Sequence, residues 1–530
     1  MIKDYADKRI EIGEMIYLVY FVIMFGARAY GLYEGQTAYN IALVIGLLLF
    51  AAKMIVTGHS LKEYMVIGGF LLLAGIVYLH TGEKGLLVCF TMMLGMKGVS
   101  RSKAVMAGAL TGGVIVLCKT FLGVFNIIPE IYYPQERAGV GLMFRHALGY
   151  AHPNTMHMNV LVLSIMVMYL VTASQKQMVR SGKKDKRQAF LSAMLVFGLI
   201  FLFNLYVFQY TGSRTGILGC VVCIILCIWA LVRDNVGLVE KLALYASFPI
   251  VCLMSIVLPL VLPEKLFDLL NNTVFHSRYM LSKFFWDGNR ISLFGIRLNH
   301  TDGLYPTYGL DSAQMYLFLQ LGIVAFVVIA VLTVWFISFC IKHNLLPELA
   351  VLATMLFVGL WEPLLYNLSF KNFAFVFMGY GLFNALSGAE VAGDEYGDGW
   401  NIGITRKNTV VLGAAMLAGI GAMMIFRLVS SEPTALYGNR QQEETGEYLG
   451  MEAEYYTMDE IRELRSDGEM VIGYVDDQTP MYRYDSVIAE MEYHKRTLSI
   501  GVWSFVITIL VIRSSVLLYD VYKRYRRRCQ

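Results

Sequence analysis

The chain has 530 residues, of which 57% are hydrophobic and only 16% charged, with a formal net charge of +4 and a mean hydropathy of +0.56. Soluble domains run at about 45–50% apolar and about 25% charged. That composition excludes a string of soluble domains joined by polar linkers and points to a chain that lies mostly in a bilayer.

Fourteen apolar runs follow one another, beginning near residues 15, 38, 64, 84, 103, 154, 189, 214, 243, 312, 348, 370, 408 and 498, with the run at 84–97 the shortest. A span needs about 20 apolar residues. Backbone that crosses hydrocarbon must be helical to pair its own polar groups. The expected fold class is an all-α polytopic membrane protein with about 14 transmembrane helices and three long outer segments. If the N-terminus lies inside and the sides alternate, the inner segments include Lys97 to Lys103, the run Lys183-Lys184-Asp185-Lys186-Arg187, and the tail Lys523-Arg524-Tyr525-Arg526-Arg527-Arg528. This asymmetry follows the positive-inside rule and predicts a multi-pass protein of the bacterial cytoplasmic membrane with both termini cytoplasmic. No small-residue cleavage site follows Tyr30, so the first helix reads as an anchor. The basic tail could grip anionic lipid, although positive-inside anchoring explains it as well.

Of the eight cysteines, Cys220, Cys223 and Cys227 share one apolar run with no His or carboxylate nearby. They read as small packing residues in a helix interface. No metal site and no cofactor are expected.

The long outer segments cover about 122–153, 263–311 and 428–497. They divide the chain into a transmembrane core, 1–427, that carries the first two as its outer loops, an acidic Tyr-rich segment, 428–497, and a last transmembrane helix with its basic tail, 498–530. Met458-Asp459-Glu460-Ile461-Arg462-Glu463-Leu464 reads as helical, and the 428–497 segment with the last helix reads as an accessory module. The first loop ends in Arg145-His146-Ala147-Leu148-Gly149-Tyr150-Ala151-His152-Pro153-Asn154, a turn and helix start. A tight turn, Tyr210-Thr211-Gly212-Ser213-Arg214-Thr215-Gly216, puts Arg214 at the top of a helix. The second long loop carries Arg278, Arg290 and Arg297, then Asp311 where the next helix opens. Each has an ordinary reading. Arg145 and Arg214 can snorkel, His146 and His152 can be interfacial, Arg290 and Arg297 can be solvated, and Asp311 can be an N-cap. Their combination at the outer ends of different helices favours a shared function, since ionisable groups at such depth usually face a cavity.

At these residues the chain resembles the O-antigen polymerase and O-antigen ligase superfamily, in the form found in Gram-positive capsule and exopolysaccharide clusters. Arg145 to Asn154 is similar to the family's Arg-x-x-Leu-Gly-(aromatic)-x-His-Pro-Asn pattern, and Ser213-Arg214-Thr215-Gly216 to its Ser-Arg-(small) turn. His276-Ser277-Arg278, Leu293-Phe294-Gly295, Leu310-Asp311-Ser312 and Gly322-Ile323 are similar to its Gly-Arg, Phe-Gly, Asp/His-Asn and Gly-Ile segments. The resemblance covers about residues 100–385. Ser277 departs from the usual Gly, Ser312 from the usual Asn, and Asp311 stands where ligases carry His, which favours a polymerase.

The resemblance implies a GT-C-like membrane glycosyltransferase that moves a glycan from an undecaprenyl-diphosphate carrier to a hydroxyl of a second carrier-linked repeat unit. Negative charge grows on the departing diphosphate. Arginine stays charged and grips phosphate in a fixed fork, so Arg145, Arg214 and Arg278 are expected on the diphosphate, with Arg290 and Arg297 as further diphosphate-binding candidates from the loop. Asp311 is the first candidate for the base that serves the acceptor hydroxyl, and His152 the second. Arg145, Arg214, Arg278 and Asp311 are expected to converge on one outward cavity. The transfer is expected to invert the anomeric centre and to run without metal. The partners would be the undecaprenyl-diphosphate-linked oligosaccharide and membrane lipid, with no nucleic acid; whether a chain-length regulator joins them stays open. Three alternatives remain: ligase-like transfer to another acceptor, a lipid-linked oligosaccharide flippase or transporter, and a non-catalytic scaffold.

Overall fold

The computed structural model describes residues 2–129, 131–137, 141–298, 309–388, 406–430, 435–441, 448–455 and 486–529. Eleven helices are long and apolar enough to cross a membrane, and the protein is a multi-pass membrane protein. In chain order the helices begin with α1 (Ile2–Tyr30), α2 (Thr37–Val56), α3 (Leu61–Thr81), α4 (Gly85–Leu94), α5 (Arg101–Val124), α6 (Pro153–Arg180), α7 (Lys186–Thr211), α8 (Arg214–Val232) and α9 (Leu238–Cys252). The series continues with α10 (Leu258–Val261), α11 (Glu264–Leu270), α12 (Arg278–Asp287), α13 (Ala313–Met315), α14 (Ile323–His343), α15 (Leu346–Val358), α16 (Ala374–Ser387), α17 (Arg406–Val429) and α18 (Ser486–Cys529).

Three of the fourteen apolar runs form only short helices, α4, α15 and α16. At 1.5 Å per residue the ten residues of α4 reach about 15 Å, half a hydrocarbon core. These helices are apolar for another reason: α4 is buried at every residue except Leu87, and α15 and α16 are buried along most of their length. A helix wrapped by protein on all sides reads in sequence like one wrapped by lipid. By contrast, Leu48, Ile55 and Leu79 on α2 and α3 are 65–78% exposed, as lipid-facing residues are.

Contacts divide the chain into two units, each discontinuous in sequence. The first comprises Met1–Ile115, Asn159–Leu202 and Arg214–Ile402. One pair of buried charges joins α5 to α15. Arg101 meets Glu348 at 2.9 Å, Tyr169 donates to the same carboxylate at 3.1 Å, and the Arg101 guanidinium lies 4.5 Å from the Tyr380 ring centre. Three π turns, Leu253–Val257, Asn271–Phe275 and Tyr316–Gln320, interrupt the stretch that leads into α14. Pro259 lacks the N–H that would close the regular ladder behind the first of them. In α8, Cys223 and Cys227 are buried with their sulfurs 3.9 Å apart, and Cys220 is buried beside them, as packing residues.

The second unit comprises Val116–Met158, Phe203–Ser213 and Gly403–Gln530. Beside its helices it carries one small sheet in an otherwise helical protein. β1 (Tyr132–Arg137) and β2 (Gly141–His146) form an antiparallel hairpin with Tyr133 opposite Arg145. β3 (Ala435–Gln441) and β4 (Tyr448–Tyr455) form a second hairpin. Tyr132 pairs with Met451, giving one sheet in the order β2-β1-β4-β3. The helical reading of 458–464 lies outside the described residues.

Candidate functional site

In the first unit the site begins at the π turn Asn271–Phe275. His276 and Ser277 follow it with φ of 44° and 69°. Two successive left-handed residues that are not glycine cost about 1–2 kcal/mol each, and here they reverse the chain so that Arg278 opens α12. Ser277 therefore occupies a backbone position that glycine would fill without strain. The turn is held by the Ser277 N–H, which donates to the Asn271 carbonyl at 3.1 Å, and by the Asn271 side chain, which accepts from the Met280 N–H at 3.1 Å.

Arg278 is set by two carbonyls. Its Nε donates to Trp361 O at 2.9 Å and its Nη1 to His276 O at 3.2 Å. Its Nη2 lies 3.6 Å from Asp311 Oδ2. That separation is an ion pair but longer than a hydrogen bond, so another oxygen can compete for the guanidinium. Trp361 is itself fixed: its indole N–H donates to Val274 O at 3.0 Å, and its ring stacks 5.8 Å from Phe275. Arg214, the first residue of α8, is exposed and donates from Nη1 to His276 Nε2 at 2.8 Å. His276 thus joins the two arginines, one through its ring and one through its carbonyl.

Asp311 precedes Ser312, which stands at the N-cap of α13 without a side-chain cap bond. The N-cap reading of Asp311 is corrected: its carboxylate turns to Arg278 instead. Although 42% of the Asp311 side chain reaches solvent, crowding by neighbours pushes its carboxyl above the usual Asp range, and the Arg278 cation pulls it back. A second carboxylate, Glu83, accepts from Tyr316 Oη at 2.8 Å and from Gln320 Nε2 at 2.6 Å. Both donors lie on the turn that follows Asp311. Burial raises the Glu83 carboxyl, and the Tyr316 hydroxyl opposes it.

The Phe-Gly and Gly-Ile segments close the base of this loop. Ile323 N–H donates to Ser292 O at 3.1 Å, Val324 N–H to Leu293 O at 3.0 Å, and Ile296 N–H to Gln320 O at 3.1 Å. Gly295 (φ 86°) and Gly322 (φ 94°) face each other across the seam. A Cβ on Gly322 would stand 2.2 Å from Gly295 N, and one on Gly295 2.2 Å from Gln320 O. Arg290 and Arg297 are exposed and form no ion pair among the described residues; the structure does not draw them to the Arg278–Asp311 pair.

Arg145 belongs to the second unit. It lies one residue before the end of β2 and donates from Nε to Thr211 O at 2.7 Å and from Nη2 to Asn154 Oδ1 at 2.5 Å. The His152 ring accepts from the Asn154 N–H at 3.1 Å through Nδ1 and packs edge-on against Tyr133, at the start of α6. His152 is therefore engaged as a helix cap. His146 is buried and lies 2.8 Å from Glu492 Oε2 of α18. Glu492 also holds Lys495 at 2.6 Å, whose ammonium donates to Phe144 O at 3.2 Å. Ser499 bonds both Tyr206 (2.8 Å) and Tyr210 (2.5 Å), and Trp503 donates to Tyr206 Oη at 3.2 Å. The last helix thus clamps the strand that carries Arg145.

Trp361, Glu83 and Glu492 do not stand out in the sequence, and His276 does so only as the neighbour of Arg278 in the His276-Ser277-Arg278 segment. Glu83 and Glu492 carried no local signal, because their partners lie 233–346 residues away in the chain. Comparison with known proteins adds nothing to this picture: no family model, curated protein or solved structure matches the chain.

Proposed function

We propose that the protein is a membrane glycosyltransferase that polymerises lipid-linked oligosaccharide repeat units. In this reading Arg214 and Arg278 hold the undecaprenyl diphosphate of the donor, and Asp311 orients or deprotonates the acceptor hydroxyl. The observation that carries it is Arg278, fixed by two carbonyls with one nitrogen turned towards a carboxylate of raised pKa. Fixed cations suit a leaving group that gains negative charge, and stabilising such charge is usually a large catalytic effect. Asp311 then passes from its arginine to the acceptor when the diphosphate arrives. A single displacement inverts the anomeric centre, and with guanidinium groups in the place of a Lewis acid the transfer is proposed to run without metal. The eleven long helices and three short ones are read as a GT-C-like core in the bacterial cytoplasmic membrane, with both termini cytoplasmic. Asp311 in the place of the ligase histidine favours polymerisation over ligation.

The test is synthesis by the purified protein in nanodiscs, supplied with a lipid-linked repeat unit. Polymer is expected from the wild type. Arg278→Lys should lower the rate by a factor on the order of 10²–10³, because an ammonium cannot form the bidentate fork. Asp311→Asn should abolish polymer while leaving donor binding in place. Full synthesis by both Arg214→Lys and Arg278→Lys would overturn the proposal, and lipid movement across the bilayer without polymer would identify a flippase instead.

A further inference from the structure

The ends of three helices of the first unit meet around one cavity. α6 stops at Arg180, α7 starts at Lys186 and α8 stops at Val232. The space between them measures about 280 Å³ and is lined by Lys176, Arg180, Lys186, Arg187 and Asp234. Four cations thus face one carboxylate.

Two of the cations are committed. Lys176 is buried, and its ammonium donates to Ala230 O at 2.7 Å and Arg233 O at 2.6 Å, closing the C-terminus of α8. A cation there meets the partial negative charge of a helix end. Lys186 pairs with Asp234 at 2.7 Å. The side chains of Arg180 and Arg187 are exposed and form no ion pair or hydrogen bond with another described residue. The rest of the lining includes an apolar wall of Val179, Phe190 and Leu231.

Positive-inside anchoring accounts for cations at these helix ends. It does not account for their convergence on a cavity with an apolar wall. A soluble anion would have no use for that wall. A phospholipid would use both: its phosphate would take the guanidinium forks of Arg180 and Arg187, and the root of its acyl chain would lie along Phe190 and Leu231. The three helix termini also place the cavity at the depth where lipid headgroups lie, since each helix is a candidate span. We propose that this pocket binds the headgroup of an anionic membrane phospholipid. The proposal is independent of the reaction proposed above and stands if that reading fails.

The test uses the full-length protein in mild detergent, with native mass spectrometry and thermal melting as readouts. The probes are dioleoyl-phosphatidylglycerol, dioleoyl-phosphatidylcholine and inorganic phosphate. Phosphatidylglycerol should stay bound and raise the melting midpoint, while the other two should do neither at the same concentration. R180Q/R187Q should bind phosphatidylglycerol about 30-fold more weakly, at about a factor of five for each basic residue removed. Arg187→Glu, a charge reversal at an exposed position, should weaken binding in the same direction and guards against a folding defect in the double variant. R526Q/R527Q/R528Q should bind as the wild type does. Equal binding of phosphatidylcholine, equal protection by inorganic phosphate, undiminished binding by both pocket variants, or loss of binding in the tail variant alone would each overturn the assignment.

Discussion

Replacing Gly322 with alanine tests whether the seam beneath Asp311 is built as described. Gly322 has φ 94° and ψ 165°, a region open almost only to glycine, and holding another residue there costs about 1–3 kcal/mol. The added methyl would also stand 2.2 Å from Gly295 N, 2.7 Å from Leu293 O and 2.7 Å from Phe294 C. All three are backbone atoms, which cannot swing aside as a side chain can. Overpacking of this kind costs about 1–3 kcal/mol more, so the expected loss is about 2–6 kcal/mol. Gly295→Ala should behave alike, because its Cβ would meet the Gln320 carbonyl. Gly198→Ala is the control: it lies within α7 with nothing within 4 Å, and helical Gly→Ala should stabilise by about 0.5–1 kcal/mol. Denaturation of each variant in detergent reads the effect. A Gly322→Ala protein as stable as the wild type would refute the seam.

Other expectations are as direct. The Asp311 carboxyl is raised by burial and lowered by Arg278; as a base it must be ionised, so activity should fall as pH drops through a value above the ordinary Asp range. Arg278→Gln removes the opposing cation, and the acid limb of its residual kcat/KM profile should move to higher pH; a limb that stays fixed would exclude Asp311 as the titrating group. Glu492→Gln leaves Lys495 and His146 without their buried counter-charge and should destabilise by about 3–5 kcal/mol, read as a lowered unfolding midpoint; an unchanged midpoint would show that the cluster holds nothing. In sealed cells, a cysteine introduced at Asp287 should react with an impermeant reagent and one at Ser181 should not; the reverse pattern would invert the topology.

Hydrophobic runs made the membrane helices legible, because a span announces itself by length and composition alone. They do not separate lipid-facing helices from enclosed ones such as α4, α15 and α16. The sheet was hidden for another reason. Tyr132–Arg137 and Gly141–His146 show little alternation of apolar and polar residues, and their pairing with a hairpin more than 300 residues away follows from no local pattern. At the site, Arg278 and Asp311 were recognisable as a cation and an anion at helix ends. Their meeting depends on the left-handed turn at His276-Ser277 and on the Gly295–Gly322 seam. Both are backbone events, and glycine marked only the second of them in the sequence. The His152 ring shows the limit of residue type as a guide: histidine suggested a base, and the structure adds a second role, a cap at the start of α6.

The clamp of α18 on β2 also has a meaning in time. Phe144 and Lys495 are 351 residues apart, and chains grow at about 5–20 residues per second, so roughly 20–70 s of synthesis separate the arginine-bearing strand from its fastener. Throughout that interval His146 and Tyr210 lack their partners on α18. A ribosome-bound chain arrested before residue 486 should therefore expose the 141–146 strand to protease, and release of the remaining residues should protect it. Maturation of this unit should therefore wait for the arrival of its final helix.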